Sequence, residues 1–157
     1  MSLETFDVIW LTGQPGAGKT TLGEAIKNEI GQNTILIDGD DIRLLFDNQD
    51  YSIEGRRKNI EFVQKLIEFS IKNNHIPIVC LVSPFLDLRE QTKTKFKTLE
   101  IYVHCQDIRG REHFHVDYYE KPQKNYLEID TSGKTVEQSF KQILNRINHD
   151  EFSSQGR

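Results

Sequence analysis

The apolar residues of this chain fall into two patterns that alternate along the sequence. One pattern is a short, continuous apolar run, which is typical of a strand in a parallel sheet that helices cover on both faces. The other pattern has apolar residues at three- and four-residue spacing, which predicts amphipathic helices between the strands. The strand-like runs occupy residues 6–11, 34–37, 76–82, 99–103 and 126–129.

The helical pattern is clearest in three segments. Residues 22–30 are followed by Gly31, a residue typical of helix C-termini. Residues 53–71 predict a longer helix with a broad apolar surface. Near the end of the chain, Thr135 and Gln138 form the capping-box pattern ahead of the last apolar series.

The order of these elements predicts one α/β domain. Strands and helices alternate, and right-handed crossovers between parallel strands place helices on both faces of the sheet. We expect a three-layer α/β/α fold with a central parallel sheet of about five strands. The domain is predicted to span residues 1–150, with a polar, irregular lid at about 105–124 and a loose tail at 151–157.

Composition narrows the class of partner. The chain has 157 residues, of which 36% are hydrophobic, and this is enough for one self-supporting core. Its net charge of −4 argues against binding to nucleic acid or to an anionic membrane. We find neither a secretory leader nor a membrane-length apolar run, and we therefore expect a cytoplasmic protein. Cys80 and Cys105 lack paired spacing and are expected to be buried or idle thiols.

A glycine-rich motif lies where the first strand meets the first helix. Residues 13–20 read GQPGAGKT, which fits G-x-x-x-x-G-K-[ST], the phosphate-binding loop of P-loop NTPases. In such a loop, backbone N–H groups surround phosphate oxygens, the lysine contacts the β- and γ-phosphates and the hydroxyl holds Mg²⁺. We therefore predict a site for ATP and Mg²⁺. The predicted nucleotide contacts are Gly13, Gln14, Pro15, Gly16, Ala17, Gly18, Lys19, Thr20 and Thr21.

Two further polar motifs follow later strands. Ligands of open α/β sheets bind beyond the carboxyl ends of the strands, and segments 38–40 and 83–84 should therefore meet the phosphate loop in one cleft. A carboxylate there, from Asp38 or Asp40, can hold a metal through water or accept the proton of an attacking hydroxyl. Asp40 or Asp41 could instead cap the N-terminus of a helix.

Basic residues near these motifs are candidates for holding an anionic acceptor. The guanidinium groups of Arg43 and Arg56 could bind phosphate or sulfate oxygens bidentately. In the predicted lid, His113 and His115 have the spacing of an extended metal chelate, but a third ligand is not evident and a metal role is not favoured. Cys105 has no paired base and is not favoured as a nucleophile.

Together, these motifs resemble those of the adenylylsulfate kinase (APS kinase) family. The family's TGLSGAGKTT-like loop, DGDNVR, DRxENIRR and FISP stretches correspond to LTGQPGAGKTTL, IDGDDIR, EGRRKNIEFVQKL and LVSPFLDLRE here, over residues 7–90. The resemblance implies that the γ-phosphate of ATP moves to the ribose 3′-hydroxyl of adenylylsulfate, a small anionic nucleotide, in sulfate assimilation. The products would be 3′-phosphoadenylylsulfate and ADP. A homodimer is also plausible by resemblance.

The resemblance implies roles for individual residues. Lys19, Asp38, Asp40 and Ser83 match catalytic positions, and Thr20 and Asp38 match the Mg²⁺ contacts. The family describes the serine at the position of Ser83 as a phosphoserine intermediate, although a residue here could simply hydrogen-bond the substrate. The implied acceptor contacts are Asp40, Arg43, Tyr51, Arg56, Asn59, Ser83 and Pro84.

The chain departs from the family pattern in three places. Asp41 stands where the family has asparagine, and Tyr51 stands near a phenylalanine that stacks on the acceptor's adenine. The lid lacks a lysine-rich piece, and Arg109 and Arg111 are the candidates to replace its nucleotide contacts. Two alternatives therefore stay open. One is a kinase for another small nucleotide conjugate, for example in surface-polysaccharide decoration, and the other is a non-catalytic nucleotide-binding module.

Overall fold

The computed structural model describes residues 2–106 and 114–154, and its centre is a parallel sheet covered on both faces by helices. A short 3₁₀ turn at Leu3–Thr5 precedes the first strand. The strands are β1 (Val8–Thr12), β2 (Thr34–Asp38), β3 (Ile76–Cys80), β4 (Thr98–His104), β5 (Lys124–Asp130) and β6 (Ser153–Ser154). The helices are α1 (Lys19–Ile30), α2 (Gly39–Leu45), α3 (Ile53–Lys72), α4 (Leu86–Lys95) and α5 (Val136–Asn148).

The order of the strands places β1 in the middle of the sheet. The order is β2-β3-β1-β4-β5-β6, and the first five strands are parallel. The last strand, β6, pairs antiparallel with β5. The predicted three-layer α/β/α fold with about five parallel strands is thus confirmed. The strand order changes direction beside β1, and the carboxyl ends of β1 and β3 therefore open into the crevice where such folds bind ligands.

The core consists of two apolar layers, one on each face of the sheet. Successive residues of β1 alternate between them: Ile9 and Leu11 pack toward α1 and α5, whereas Val8 and Trp10 pack toward α3. All five residues of β1 are buried, as expected for a central parallel strand. The predicted capping box at α5 is present, with the Thr135 hydroxyl accepting from the Gln138 backbone N–H.

Helix α2 is an element that the sequence pattern did not predict. It begins directly after β2, and Asp38 occupies its N-cap position without a side-chain capping hydrogen bond. Asp40 and Asp41 lie in its first turn, so neither of them is the capping residue that we considered from the sequence. The carboxylates of Asp40 and Asp41 are therefore not consumed by capping.

The end of the chain also differs from the expectation of a loose tail. Phe152 packs edge-on against Phe6 with ring centroids 6.5 Å apart, and the next two residues form β6. Residues 155–157 lie outside the described part of the chain. Within that described part, we find no helix with both the length and the apolar character needed to cross a membrane.

Candidate functional site

A cleft of about 440 Å³ lies beyond the carboxyl ends of β1, β2 and β3. It brings together the three polar motifs that the sequence placed at strand ends. The residues that were predicted for the site and that line this cleft are Pro15, Gly16, Gly18, Lys19, Thr20, Thr21, Asp38, Asp40, Arg43, Tyr51, Arg56, Asn59, Ser83 and Pro84.

The phosphate-loop motif, residues 13–20, forms a turn whose shape requires glycine. Gly16 and Gly18 have φ values of 82° and 97°, in the left-handed region that residues with a Cβ avoid. Helix α1 begins at the next residue, Lys19, without a side-chain cap from the described residues. The N–H groups of its first turn therefore face the cleft with the positive end of the helix dipole, which is a favourable place for an anion.

The ammonium group of Lys19 lies inside this loop. Its Nζ donates to the carbonyl oxygens of Gly13 at 2.9 Å and Gln14 at 2.7 Å. The side chain is buried, and the loop's own backbone thus holds a positive charge at the edge of the cleft. This arrangement places a fixed cation beside the N-terminus of α1.

Three predicted nucleotide contacts do not line the cleft. Gly13 lies where β1 ends, and a Cβ added there would come within 2.0 Å of the Val103 carbonyl oxygen, so that only glycine fits. Ala17 belongs to the core layer beneath α1. The side chain of Gln14 turns to the backbone of Val116, as described below.

The two carboxylates at the end of β2 face the same cleft as the loop. Burial, followed by the negative charges of Asp40 and Asp41, raises the pKa of Asp38. A carboxylate in that position holds a proton more readily than a free aspartate, and it gains from any nearby cation. Asp38 and Asp40 can therefore act as a base or as oxygen ligands for a hard cation.

An aromatic and guanidinium cluster forms the outer wall of the cleft. The Arg43 guanidinium lies 3.9 Å from the centre of the Tyr51 ring, and that of Arg56 lies 5.5 Å away. Arg43 also donates to the Asp50 carbonyl, whereas Arg56 donates to that of Tyr51. The two cations that were predicted to hold an anion are therefore positioned together by one tyrosine and the backbone beside it.

Asn59 contributes a polar atom without a partner. Its side chain is buried on α3 and lines the cleft, yet its Oδ1 atom has no hydrogen bond to any described residue. A buried, unpaired polar atom costs free energy unless something satisfies it. Asn59 is thus a polar group in the cleft lining that the described residues do not satisfy.

Ser83 has a strained backbone and a fixed hydroxyl. Its φ of 46° lies in the left-handed region, which is uncommon for serine. Its Oγ accepts a hydrogen bond of 2.8 Å from the indole Nε1 of Trp10 on β1. Sequence reasoning did not find this contact, because the two residues are 73 positions apart and Trp10 has the pattern of an ordinary core residue.

Residues 116–120, which we call the exit segment, connect the two sides of the cleft. At one end, the Gln14 amide donates to the Val116 carbonyl at 2.8 Å and accepts from its N–H at 2.9 Å. At the other end, the N–H of Glu120 donates to the Pro84 carbonyl at 2.9 Å. The exit segment thus contacts both the phosphate loop and the segment that contains Ser83.

Tyr119 fastens the middle of the exit segment to β1. Its hydroxyl lies 2.7 Å from Thr12 Oγ1, and that oxygen donates to the Val82 carbonyl at 2.8 Å. Tyr119 is therefore the donor in its bond to Thr12. Burial raises the pKa of Tyr119, which keeps this proton in place. Neither residue had been singled out, since a tyrosine in a polar segment carries no pattern of its own.

The remaining candidates that the structure describes do not form a second site. Arg109, Arg111 and His113 lie outside the described residues, and His115 is exposed, with Nε2 4.0 Å from Asp117. Residues 2–106 and 114–154 contain no group of three or more His, Cys, Asp or Glu that could hold a metal ion. Burial raises the pKa of the Cys80 thiol to about 12. This cysteine lines the cleft but is protonated at neutral pH.

Comparison with known proteins points to one family. The family model for adenylylsulphate kinase matches residues 6–130. An adenylyl-sulfate kinase of Thermodesulfovibrio yellowstonii is 35% identical over 105 residues, which cover 62% of this chain and 52% of that protein. A probable adenylyl-sulfate kinase of Pyrococcus abyssi is 29% identical over 161 residues, covering 88% of this chain and 92% of that protein.

The fold has a close counterpart among solved structures. The structure of the Mycobacterium tuberculosis APS kinase CysC in complex with AMPPNP and APS superimposes with a TM-score of 0.74, covering 90% of this chain and 96% of that one. Sequence identity is 19%, so this likeness supports the fold. The match in sequence comes from the family model and from the relatives named above.

Proposed function

This chain belongs to the adenylylsulphate kinase family, and from that premise we propose that it transfers the γ-phosphoryl group of ATP to the ribose 3′-hydroxyl of adenylylsulfate. The products are 3′-phosphoadenylylsulfate and ADP. The observation that carries the proposal is the shared cleft, which has the phosphate loop on one side and Asp38, Arg43 and Asn59 on the other.

The donor side fits the tail of ATP. The amides at the start of α1 and the Lys19 ammonium bind the phosphate oxygens, and Thr20 and Asp38 supply a hydroxyl and a carboxylate for Mg²⁺. Mg²⁺ is commonly held by one or two carboxylates together with substrate phosphates, and Thr20 and Asp38 are the cleft residues that would hold it here. When bound, the ion neutralises charge that develops on the transferred group.

The acceptor side fits an anionic nucleotide with a free hydroxyl. Arg43 and Arg56 hold the acceptor's anionic oxygens, and the unpaired Oδ1 of Asn59 accepts a hydrogen bond from it. Asp38 or Asp40 takes the proton from the 3′-hydroxyl. That oxygen then forms a bond to the γ-phosphorus as the bond to the leaving ADP breaks. Ser83 needs only to hydrogen-bond the substrate.

The position of Arg43 motivates a second candidate acceptor. Its guanidinium occupies one face of the Tyr51 ring at 3.9 Å, the ring that the family resemblance assigns to stacking on adenine. A different small nucleotide conjugate is therefore the alternative acceptor. The homodimer implied by the resemblance stays a prediction.

The deciding experiment is an ADP-release assay with ATP, Mg²⁺ and a panel of nucleotide acceptors that includes adenylylsulfate. We expect turnover with adenylylsulfate and formation of the 3′-phosphorylated product, with Lys19→Ala as the background control. Preference for another acceptor would show that the enzyme is a kinase whose substrate is not adenylylsulfate. Binding of ATP without transfer to any acceptor would instead support a nucleotide-binding module.

A further inference from the structure

We propose that Arg89 is a positioning residue of the acceptor side, which fixes the backbone of Ser83 and of the exit segment from a buried place behind the cleft. The inference rests on the proposed function, because it assigns Arg89 to the acceptor of that reaction. Arg89 lies on α4 and is 1% exposed.

The charge of Arg89 is balanced inside the protein. Its Nε donates to Glu100 Oε2 on β4 at 2.8 Å, and both side chains are 1% exposed. Lys93 on the same helix donates to the other carboxylate oxygen, Oε1, at 2.8 Å. Glu100 therefore needs only one guanidinium nitrogen, and the two terminal nitrogens of Arg89 are available for other partners.

Those two nitrogens hold carbonyl oxygens from two separate segments. Nη1 donates to the carbonyl of Ser83, and Nη2 donates to that of Glu120 in the exit segment. A guanidinium is planar, with its donors in a fixed fork, and one side chain thus sets the spacing between the two backbones. The Tyr119 ring, 5.5 Å from the guanidinium carbon, packs against the same group.

This contact matters most at Ser83, whose backbone has the unfavourable φ of 46°. Such a conformation persists only where surrounding contacts determine it. Arg89 donates to the carbonyl of this residue and Trp10 donates to its hydroxyl, so that the two contacts together fix the position of Oγ.

A role in stability alone does not explain the arrangement. Apolar side chains often replace a buried ion pair without loss of stability, whereas they cannot hold two carbonyl groups. The phosphate loop has a separate support, since the Thr131 hydroxyl donates to the Ala17 carbonyl at 2.9 Å. We therefore expect loss of Arg89 to affect the acceptor more than ATP.

The test uses Arg89→Lys, which keeps the charge but cannot span both carbonyls. We expect kcat/KM for adenylylsulfate to fall at least about tenfold, with KM for ATP within about twofold of its original value. Trp10 is the single tryptophan of the chain and contacts Ser83 directly. Its fluorescence emission should therefore also change in the folded variant.

Arg57→Lys is the matched control. Arg57 forms a two-point ion pair with Asp87, also on α4, but at the protein surface. We expect neither the Trp10 emission nor the acceptor KM to change in this variant. If Arg89→Lys behaves like this control, the positioning role is wrong. An equal rise in KM for ATP would also overturn it.

A second variant covers the case in which Arg89→Lys does not fold. Glu100→Gln weakens the ion pair but leaves both carbonyl contacts of Arg89 in place. It should lower Tm while kcat/KM for the acceptor stays within about threefold, and a tenfold loss would contradict the proposal. If the wild-type chain does not phosphorylate adenylylsulfate, the proposed function fails. The Trp10 emission of Arg89→Lys then still decides whether Arg89 positions Ser83.

Discussion

The two sides of the cleft are built by different means. On the donor side, the phosphate loop is formed by contacts within a short segment. Gly16 and Gly18 provide the turn, and Lys19 donates hydrogen bonds to carbonyl groups five and six residues away. On the acceptor side, Ser83 depends on Trp10, which is 73 residues distant. A short motif thus encodes one side, whereas the other side exists only once the sheet has formed.

The two sides also differ in charge. The phosphate loop on the donor side presents the amides of a helix N-terminus and the Lys19 ammonium, which favour the negative charge of a polyphosphate. The acceptor side combines the carboxylates of Asp38 and Asp40 with the guanidinium groups of Arg43 and Arg56. Mixed charge of this kind can hold an anion and take a proton from it, whereas the donor side can only bind and stabilise.

The largest effect should come from the donor side, by the change Lys19→Ala. Removing a fixed cation from a phosphoryl-transfer site should lower kcat by about 10³–10⁵-fold. Steady-state ADP release measures the loss. Lys27→Ala, an exposed lysine on the same helix, is the matched control and should retain activity. Turnover of Lys19→Ala close to that of the control would show that this ammonium does not act on the transferred group.

The next largest effect should come from the acceptor side, by Asp38→Asn. The change removes both roles proposed for this carboxylate, an oxygen ligand for Mg²⁺ and an acceptor for the hydroxyl proton, and kcat should therefore fall by about 10²–10⁴-fold. Asp41→Asn makes the same change of charge three residues away on an exposed side chain. Activity should survive in that control. Equal losses in both variants would mean that net charge matters here rather than a base.

Asp38→Asn should also change how stability depends on pH. The folded protein raises the pKa of Asp38 above 3.8 by burial and nearby negative charge, so that it holds this proton more tightly than the unfolded chain does. The stability from that proton is complete below pH 3.8 and is lost as pH rises through the raised pKa. Without ligands, Asp38→Asn should therefore unfold at higher urea than wild type near neutral pH, with the difference vanishing in acid. If the wild type and Asp38→Asn are equally stable at neutral pH, the pKa of Asp38 is not raised in the folded protein.

A comparison of two ion pairs on α4, the helix that holds Arg89 on the acceptor side, tests how much the stability of the fold relies on buried charge. Glu100→Ala leaves the buried guanidinium of Arg89 without its carboxylate, which should cost about 3–5 kcal/mol of unfolding free energy. Asp87→Ala breaks the exposed pair with Arg57 and should cost less than about 1 kcal/mol. Urea denaturation of the two variants measures both values. Similar costs would show that the buried pair contributes no more to the stability of the fold than the exposed pair does.

The difference between a locally encoded donor side and an acceptor side that depends on long-range contacts explains what could be predicted from the sequence. The strands, the capping box and the phosphate loop follow from local spacing, and the structure contains all of them. Alignment of polar motifs at strand ends correctly placed Asp38, Arg43 and Ser83 in one cleft. These predictions needed only periodicity and the rule that parallel strands end at the same edge.

The parts that were missed depend on long-range contacts or break the local pattern. Arg89 has the pattern of a surface residue in a polar stretch, and Glu100 is the one charged position in the predicted strand 99–103, yet both are buried and pair with each other. Helix α2 was not predicted because it is seven residues long, and Leu44 and Leu45 face solvent rather than the core. Strand β6 has two residues and carries no periodicity to read.

The smallest of these effects tests the place where the two sides meet. Gln14→Leu keeps the size of the side chain but removes both hydrogen bonds to the backbone of Val116, a buried residue of the exit segment. Leaving those backbone groups unpaired should cost about 1–3 kcal/mol of unfolding free energy, measured by urea denaturation. Gln91→Leu, an exposed glutamine, should stay within about 0.5 kcal/mol of wild type. Gln14 belongs to the phosphate loop on the donor side, and Val116 belongs to the exit segment, which contacts Pro84 on the acceptor side. If Gln14→Leu is as stable as Gln91→Leu, the contact between Gln14 and Val116 does not stabilise the two sides together.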